Sequence, residues 1–354
     1  MKHCLDNPDL LNVLDPLGMI SIIENMDKQC EHAIEIGYAT ELKVDPSKVK
    51  NILFSGVGGS AIVGDLVKDF MLDLSSTPVL TNRDYSLPKF VGPETLVFTI
   101  SYSGNSEETL SVYNRAKSIG AQIVTLSSGG QLKKMSEEDG NTTCIIPTNL
   151  QPRAAIGYMF FPLLVLMERL GFLPYMHDQY TDAIATLRKL KNQLGFNIPY
   201  KQNPAKQVAF EIYGHVPMFL TSTKKLESVT LRWKQQINEN SKALAYWNSF
   251  PELNLYEVTG LEMPDEFLKN IHVIHLLEGN ESSHILEQIS KIHELYDFSV
   301  NGVTKITAQG NTSLGKLISL LSFSDFASAY LAILYGFDPT EIKYIHYIKK
   351  QLIT

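Results

Sequence analysis

The sequence predicts an α/β protein in which two halves each carry a mainly parallel sheet with helices on both faces. The chain has 354 residues, which is enough for two hydrophobic cores. Short apolar runs alternate with helical patterns from about residue 49 to residue 170, and the same alternation returns from about residue 218 to the C-terminus. A mostly polar, helical stretch at about residues 171–202 separates the two series, and the domain boundary is expected there.

The first half begins with a predicted helix over about residues 17–42, although the apolar spacing within it is imperfect. Short apolar runs predict strands at residues 49–54, 79–81, 96–100, 123–126 and 144–146. Helical patterns follow several of these runs, at residues 60–72, 106–119 and 154–170. We assign this half, together with its N-terminal helix, to a first domain over residues 1–185.

The second half repeats the pattern. Strands are predicted at residues 218–221, 273–277 and 303–308. Helices are predicted at residues 225–244, 285–295, 314–334 and 338–352. Pro339 lies near the start of the last helix, where proline is tolerated. We assign this half to a second domain over residues 186–354, which ends in the C-terminal helix.

The net charge of −7 argues against a general affinity for nucleic acid or for an anionic membrane surface. Three well-separated cysteines without a CxxC pair indicate reduced thiols in a reducing compartment. The N-terminus does not show the apolar run of a signal peptide, and the apolar stretch Tyr158–Met167 is shorter than a membrane span. We therefore expect a cytoplasmic protein with no nucleic-acid or membrane partner.

A glycine-rich turn is the first candidate binding site. The sequence SGVGGSA at residues 55–61 directly follows a predicted strand and opens a helix. Glycines let the backbone approach a ligand closely, and a helix start offers N–H groups and the positive end of the helix dipole to an anion. The same residues also fit a tight strand-to-helix turn, or the GxGxxA fingerprint of dinucleotide sites with Asp84 as a loose match for its acidic residue.

A serine-rich turn is the second candidate. Ser101, Ser103 and Ser106 lie between a predicted strand and the next predicted helix. Clustered hydroxyls suit a phosphate group, which accepts several hydrogen bonds. A helix cap by Ser103 or Asn105 is the alternative, but a cap requires one serine rather than three. Two such turns at the carboxyl ends of parallel strands converge on one site, which favours a monophosphate over NAD.

The sequences GVGGSAIVGD at residues 56–65 and SYSGNSEET at residues 101–109 resemble the two phosphate turns of sugar-isomerase (SIS) domains. Further segments narrow the resemblance to the bifunctional phosphoglucose/phosphomannose isomerase family. These segments are Gln151–Ala155, Arg232–Lys242, Phe250–Asn254, Tyr330–Ala332 and Gly336–Thr340. The resemblance runs from about residue 35 to the C-terminus and implies two SIS-type three-layer αβα domains.

This resemblance implies an aldose–ketose isomerase that interconverts glucose 6-phosphate, mannose 6-phosphate or both with fructose 6-phosphate through an enediolate. It further implies a homodimer. We expect no cofactor. Phosphate binding falls on the matching positions Gly59, Ser60, Ser101, Ser103 and Ser106. The family's proton-transfer base corresponds to Glu239, and its arginine near the reacting carbons corresponds to Arg153. Its lysine of the last helix corresponds to Lys349.

The chain departs from the family pattern at one position. The family sequence PELNHNE appears here as PELNLYE at residues 251–257, so Leu255 replaces the histidine assigned to ring opening. Leucine can neither donate nor accept a proton. His215 is the candidate substitute, although an ordinary loop histidine fits the same sequence. A non-catalytic or weakly active sugar-phosphate-binding protein is therefore the alternative function.

The residues themselves are compatible with this chemistry. One carboxylate can move a proton between C1 and C2 of an open-chain sugar. Glu239 shares a predicted helix face with Arg232 and Gln236, a polar stripe of the kind that is usually solvated. Arg153 at the start of an apolar helix has no support from the helix dipole, which favours a ligand-directed role over simple exposure.

Two further features carry less information. Lys349 forms a basic pair with Lys350, and such a pair also suits an ordinary surface position near a helix C-terminus. His272 and His275 are three residues apart in a predicted strand and should face opposite sides of the sheet. Because no residue cluster has zinc-like spacing, metal chemistry is not predicted.

Overall fold

The computed structural model describes residues 3–352, apart from the side chains at positions 346, 349, 350 and 352. The strands are β1 (Asn51–Ser55), β2 (Val79–Asn82), β3 (Thr95–Ile100), β4 (Gln122–Ser127), β5 (Thr142–Ile145), β6 (Val216–Thr221), β7 (Tyr246–Ser249), β8 (Ile271–Leu277) and β9 (Gly302–Thr307). The helices are α1 (Pro8–Leu14), α2 (Met19–Glu24), α3 (Met26–Ala39), α4 (Gly59–Met71), α5 (Glu107–Ile119), α6 (Gly130–Glu138), α7 (Ile156–Arg169), α8 (His177–Leu194), α9 (Pro204–Glu211), α10 (Glu227–Ser241), α11 (Glu257–Gly260), α12 (Asp265–Leu268), α13 (Ser283–Ser299), α14 (Ser313–Tyr335) and α15 (Lys343–Leu352).

The chain divides into two compact units, here called the N-terminal unit (residues 26–184) and the C-terminal unit (residues 1–25 and 185–354). The predicted division places residues 1–25 with the first half, whereas in the structure they group with residues 185–354. The predicted helix over residues 17–42 is also two helices, which meet at Asn25.

Buried polar contacts explain why the first 25 residues belong to the C-terminal unit. The Lys206 side chain is fully buried, and its Nζ donates to Asp6 Oδ1 at 2.9 Å. The backbone N–H of Tyr200 donates to the same carboxylate oxygen at 2.9 Å, and the N–H of Phe196 donates to Glu24 Oε1 at 2.8 Å. A buried ammonium requires such partners, so these contacts hold the N-terminal segment in place.

The N-terminal unit is built on a five-stranded sheet in the order β2-β1-β3-β4-β5, and each pair of neighbouring strands is parallel. All six residues of the central strand β3 are buried. On one face, Val97 packs in a core cluster with Val112 of α5 and Leu132 of α6. On the other face, Gly64 of α4 lies so close to Phe54 that an added Cβ would approach the Phe54 Cβ to 2.6 Å. This confirms the predicted parallel sheet with helices on both faces.

The C-terminal unit has a four-stranded parallel sheet in the order β7-β6-β8-β9. Trp233 of α10 covers one face, where its ring centroid lies 5.2 Å from that of Phe219 and its Nε1 donates to Leu320 O at 3.0 Å. Helix α13 covers the other face, through Ile289 and Ile292 against Val273. The edge strand β7 was not predicted from the sequence.

Helix α14 is the apolar centre of this unit. Within the part of the chain that the structure describes, it is long and apolar enough to cross a membrane by length and composition. With 23 residues, it is longer than the apolar stretch Tyr158–Met167. Its apolar window is 94% buried inside the protein, as expected of a core helix.

Candidate functional site

The two predicted phosphate turns lie side by side at one edge of the sheet in the N-terminal unit. Strands β1 and β3 are neighbours, and the helix after β1 leads to β2 on one side while the helix after β3 leads to β4 on the other. The strand order therefore reverses between β1 and β3. Open α/β sheets bind ligands outside the carboxyl ends of their strands at such a switch point.

The first turn combines close backbone approach with a buried hydroxyl. A Cβ at Gly56 would lie 2.8 Å from Ile100 O, so this position requires glycine where the turn passes the end of β3. Gly58 has a φ of 57°, and α4 begins at the next residue. Ser60 is 7% exposed, and its Oγ accepts a hydrogen bond from the N–H of Tyr102 at 3.3 Å. The first turn is thus joined directly to the second.

The second turn contains a chain of hydroxyl groups. Ser106 Oγ lies 2.9 Å from Ser101 Oγ and 2.8 Å from Thr109 Oγ1. Ser106 is the N-cap residue of α5, yet its side chain makes no capping bond. Ser103 is exposed, and its Oγ accepts from the N–H of Asn105 at 3.3 Å. The hydroxyl of Ser106 therefore bonds within the serine cluster. The N-cap position of α5 is Ser106 rather than Ser103 or Asn105, the two caps considered from the sequence.

A third turn, after β4, completes the edge and was missed by sequence reasoning. The N–H and the hydroxyl of Ser128 both donate to Tyr102 O, at 2.8 and 2.7 Å. A Cβ at Gly104 would lie 1.9 Å from Gly129 O, so the second and third turns pack backbone to backbone. The signal that could have revealed this turn is SSGG at residues 127–130, which directly follows a predicted strand.

Arg153 lies beside the start of α4. It sits in a short 3₁₀ turn, Pro152–Ala154, rather than at the start of a long helix as the sequence predicts. Arg153 is only 3% exposed, so the alternative that its side chain simply faces solvent does not hold. A Cβ added to Gly59 would lie 3.6 Å from Pro152 Cβ, which places this turn in van der Waals range of the first phosphate turn. The N-terminal unit therefore brings the serine turns and the Arg153 turn to one edge.

Glu239 lies in the last turn of α10, in the C-terminal unit, and is partly buried. The stripe that precedes it is not solvated as expected. Arg232 is 1% exposed and its Nη2 lies 3.0 Å from Asp325 Oδ1, and the amide of Gln236 donates to the same carboxylate. Burial raises the pKa of Asp325 above its usual value, while Arg232 opposes that shift. This ion pair joins α10 to α14.

Glu239 and Leu255 lie at opposite edges of the second sheet. Helix α10 runs from the end of β6 to the start of β7, so Glu239 is at the edge where strands begin. His215 directly precedes β6 and lies at the same edge, with its Nδ1 buried and without a partner among the described residues. Leu255 follows the end of β7 and is 63% exposed. Within one chain, the substituted position is thus remote from the predicted base.

The equivalent edge of the second sheet is filled by a carboxylate of the chain itself. Strands β6 and β8 are neighbours at the order reversal, as β1 and β3 are in the first sheet. There the carboxylate of Glu281 accepts from the N–H of Gly279 at 3.0 Å and from the Ser222 hydroxyl at 3.2 Å. The backbone N–H of Glu278 donates to the same group at 2.5 Å. A side chain of the protein already uses the donors that an external anion would need at this edge.

The remaining predicted positions have simpler outcomes. The side chain of Lys349 lies outside the described residues, although its backbone is part of α15. His272 and His275 face opposite sides of the sheet as predicted, since His272 Nε2 lies 2.8 Å from Thr304 Oγ1 and His275 Nδ1 lies 2.9 Å from His293 Nε2. Residues 3–352, where described, contain no group of three metal-ligating side chains.

Comparisons with known proteins agree with this geometry. Residues 201–352 match the family described as the bacterial phospho-glucose isomerase C-terminal SIS domain. The chain is 39% identical over 336 residues to the bifunctional phosphoglucose/phosphomannose isomerase of Caldicellulosiruptor bescii, covering 94% of this chain and 98% of the relative. It is 34% identical over 315 residues to the protein of the same name from Aquifex aeolicus, covering 88% and 93%.

A solved structure shows the same fold. The glucose-6-phosphate isomerase like protein from Thermus thermophilus is similar with a TM-score of 0.63 and 17% identity, covering 96% of this chain and 98% of the other. The fold, the paired serine turns and the two relatives lead to one conclusion. This chain belongs to the bifunctional phosphoglucose/phosphomannose isomerase family.

Proposed function

We propose that this protein interconverts glucose 6-phosphate, mannose 6-phosphate or both with fructose 6-phosphate. The observation that carries the proposal is the chain of hydroxyl groups at the switch point of the first sheet, where Ser106 Oγ lies within 2.9 Å of the hydroxyl oxygens of both Ser101 and Thr109. The names of the relatives from Caldicellulosiruptor bescii and Aquifex aeolicus support the same substrates.

The phosphate group of the sugar binds between the first two turns. Gly59 and Ser60 contribute the N-terminus of α4, where backbone N–H groups and the helix dipole favour an anion. Ser101, Ser103 and Ser106 contribute hydroxyl groups that turn their hydrogens toward the phosphate oxygens when it is bound. The bound phosphate then fixes the distance of C1 and C2 from the turns.

Glu239 transfers the proton. Its carboxylate takes the hydrogen from C2 of the open-chain aldose and returns it to C1, while a proton moves between the two oxygens to complete the ketose. The intermediate is an enediolate, and the fixed positive charge of Arg153 stabilises it. The burial of Arg153 supports this role, because a charge held in a site of low polarity interacts strongly with a developing anion.

Ring opening needs one group at the ring oxygen and one at the C1 hydroxyl. We assign one side to Lys349 and the other to His215. The support for His215 is its position at the strand edge that also holds Glu239, together with its buried Nδ1, which has no partner in the described part of the chain. If His215 plays no part, water opens the ring or the enzyme takes sugars that are already open.

We also propose a homodimer in the cytoplasm. Exposed apolar side chains near both edges of the second sheet support an interface, at Leu244, Tyr246, Leu255 and Tyr256. The free cysteines, two of them buried, suit a reducing compartment. Light scattering of the purified protein measures the oligomeric state, and a monomer at micromolar concentration would contradict the dimer.

The Glu239→Gln variant tests the proposal. We expect kcat to fall by about 100- to 10,000-fold because the amide cannot accept the proton, while sugar-phosphate binding persists. Coupled assays with glucose 6-phosphate, mannose 6-phosphate and fructose 6-phosphate measure turnover, and calorimetry measures binding. Glu287→Gln, an exposed position on α13, is the matched control and should keep wild-type turnover.

Unchanged turnover in Glu239→Gln would remove this residue from the mechanism. A wild-type protein that binds hexose 6-phosphates tightly and converts none of them would be a sugar-phosphate-binding protein instead, which is the alternative that Leu255 favours.

A further inference from the structure

Tyr102 connects the parts of the phosphate-binding edge. It lies in the middle of the second turn and is 7% exposed. Its backbone N–H donates to Ser60 Oγ in the first turn, at 3.3 Å. Its carbonyl accepts from the N–H and the hydroxyl of Ser128 in the third turn, at 2.8 and 2.7 Å. The backbone of one residue therefore bonds to both neighbouring turns.

The side chain of Tyr102 contacts a different segment. Its hydroxyl donates to Pro147 O at 3.0 Å and accepts from the N–H of Leu150 at 3.0 Å. Residues 146–151 form neither helix nor strand, and they lead directly into the 3₁₀ turn that carries Arg153. The Tyr102 hydroxyl thus donates one hydrogen bond to the segment that precedes Arg153 and accepts one from it.

The Arg153 turn has a second attachment on its other side. The side-chain amide of Gln29, on α3, donates to Ala154 O at 3.1 Å. The N–H of Ala154 itself bonds back to Gln151 O at 2.8 Å, which closes the turn. Gln29 therefore holds the end of the turn, and the Tyr102 hydroxyl holds the segment that enters it.

We propose that Tyr102 is a positioning residue that sets the location of Arg153 relative to the bound phosphate. The inference rests on the proposed function, because it assigns Tyr102 a part in stabilising the enediolate. The backbone hydrogen bonds of Tyr102 join the three turns, whereas its hydroxyl holds the segment that leads to Arg153. Removal of the hydroxyl should therefore impair the chemical step and spare phosphate binding.

The Tyr102→Phe variant removes the hydroxyl and leaves every backbone bond in place. Tyr113→Phe is the matched control. Tyr113 is a fully buried tyrosine of the same unit. Its hydroxyl lies 2.8 Å from Asp139 Oδ2 and 3.1 Å from Met135 O, and it accepts from Asn141 Nδ2 at 2.8 Å. It belongs to α5, packs in the same core cluster as Leu132 of α6, and has no part in the proposed site. Both variants therefore lose a phenolic hydroxyl that is hydrogen-bonded within the N-terminal unit, to two groups at Tyr102 and to three at Tyr113.

The readouts separate positioning from mere stability. For Tyr102→Phe we expect kcat to fall about ten-fold or more, with KM for fructose 6-phosphate within about two-fold of wild type. Binding of a pentonate 5-phosphate, whose carboxylate imitates the charge of the enediolate, should weaken by a similar factor, while binding of inorganic phosphate stays constant. Tyr113→Phe should lower the melting temperature and leave kcat unchanged.

A double variant tests whether Tyr102 acts through Arg153. In an Arg153→Lys background, the further change Tyr102→Phe should lower kcat by less than about two-fold, because the group that it positions is already altered. Full additivity of the two losses would overturn the inference. It would also be overturned if Tyr102→Phe matched wild type, weakened inorganic phosphate equally, or resembled Tyr113→Phe.

Failure of the proposed function would look different. A wild-type protein without isomerase activity would contradict that function. The binding of pentonate 5-phosphate and of inorganic phosphate would still test the positioning role of Tyr102. Selective loss of pentonate 5-phosphate binding in Tyr102→Phe would support the positioning role, and equal loss of both ligands would refute it.

Discussion

Acidification should destabilise the C-terminal unit through His275. This residue is fully buried in β8, and its Nδ1 lies 2.9 Å from His293 Nε2, while the ring stacks on Phe250 with centroids 5.8 Å apart. Burial lowers the pKa of His275 to about 3, and the neighbouring His293 and Lys305 add to this effect. Burial likewise lowers the pKa of His293 to about 4.

The sign and size of the effect follow from linkage. The unfolded chain takes up the proton below its ordinary pKa of 6.5, whereas the folded chain resists it down to about 3. The contribution of neutral His275 to the free energy of unfolding is therefore fully present above pH 6.5. It decreases as the pH falls from 6.5 toward the pKa of the folded state. At pH 5, which is about 1.5 units below the unfolded pKa, His275 should cost roughly 2 kcal/mol of the free energy of unfolding.

Fluorescence-detected urea unfolding measures this effect in the correct unit. Both tryptophans, Trp233 and Trp247, belong to the C-terminal unit, so their emission reports on it. We compare the wild type with His275→Leu at about pH 7.5 and pH 5. The wild type should lose roughly 2 kcal/mol more than the variant over this range. His284→Gln, an exposed histidine change on α13, should follow the wild type. Parallel pH dependence in wild type and His275→Leu would refute the reasoning.

Two further predictions concern the site and the core. Ser106→Ala should raise KM for fructose 6-phosphate about ten-fold with kcat retained, since a hydrogen bond to a charged group is worth about 1.5–3 kcal/mol. Ser106→Thr keeps the hydroxyl and should stay near wild type, and equal KM values in the two variants would contradict the phosphate assignment. Asp325→Leu should lower the free energy of unfolding by about 3–5 kcal/mol because Arg232 is left as a buried charge. The double variant Arg232→Met/Asp325→Leu should recover much of that loss in urea titrations, and a single variant as stable as the double one would contradict this explanation.

Local sequence patterns predicted the strands and helices in which consecutive apolar residues are buried. Strand β3 was found because all six of its residues are buried and four of them, Leu96, Val97, Phe98 and Ile100, are apolar. Strand β7 was missed because it is a short edge strand whose residues are mostly polar or aromatic and mostly accessible. The break at Asn25 was also missed, since both helices around it continue one apolar pattern.

The arrangement of the polar residues required the tertiary structure. Sequence reasoning took the stripe of Arg232 and Gln236 as solvated, because their partner Asp325 lies 93 residues from Arg232. The buried 3₁₀ turn of Arg153 and its link to Tyr102 were equally invisible, since that link joins residues 45 and 48 positions apart.

The sequence by itself determined that two parallel sheets form and that hydroxyl-bearing turns follow the strands of the first. Those properties depend on neighbours within a few residues, where apolar runs and glycines act directly on the backbone. Folding decided which hydroxyls meet at the switch point, and which carboxylate fills the matching edge of the second sheet. Contacts between distant residues are set by the packing of whole elements, and so they exist only once the sheets and helices have assembled.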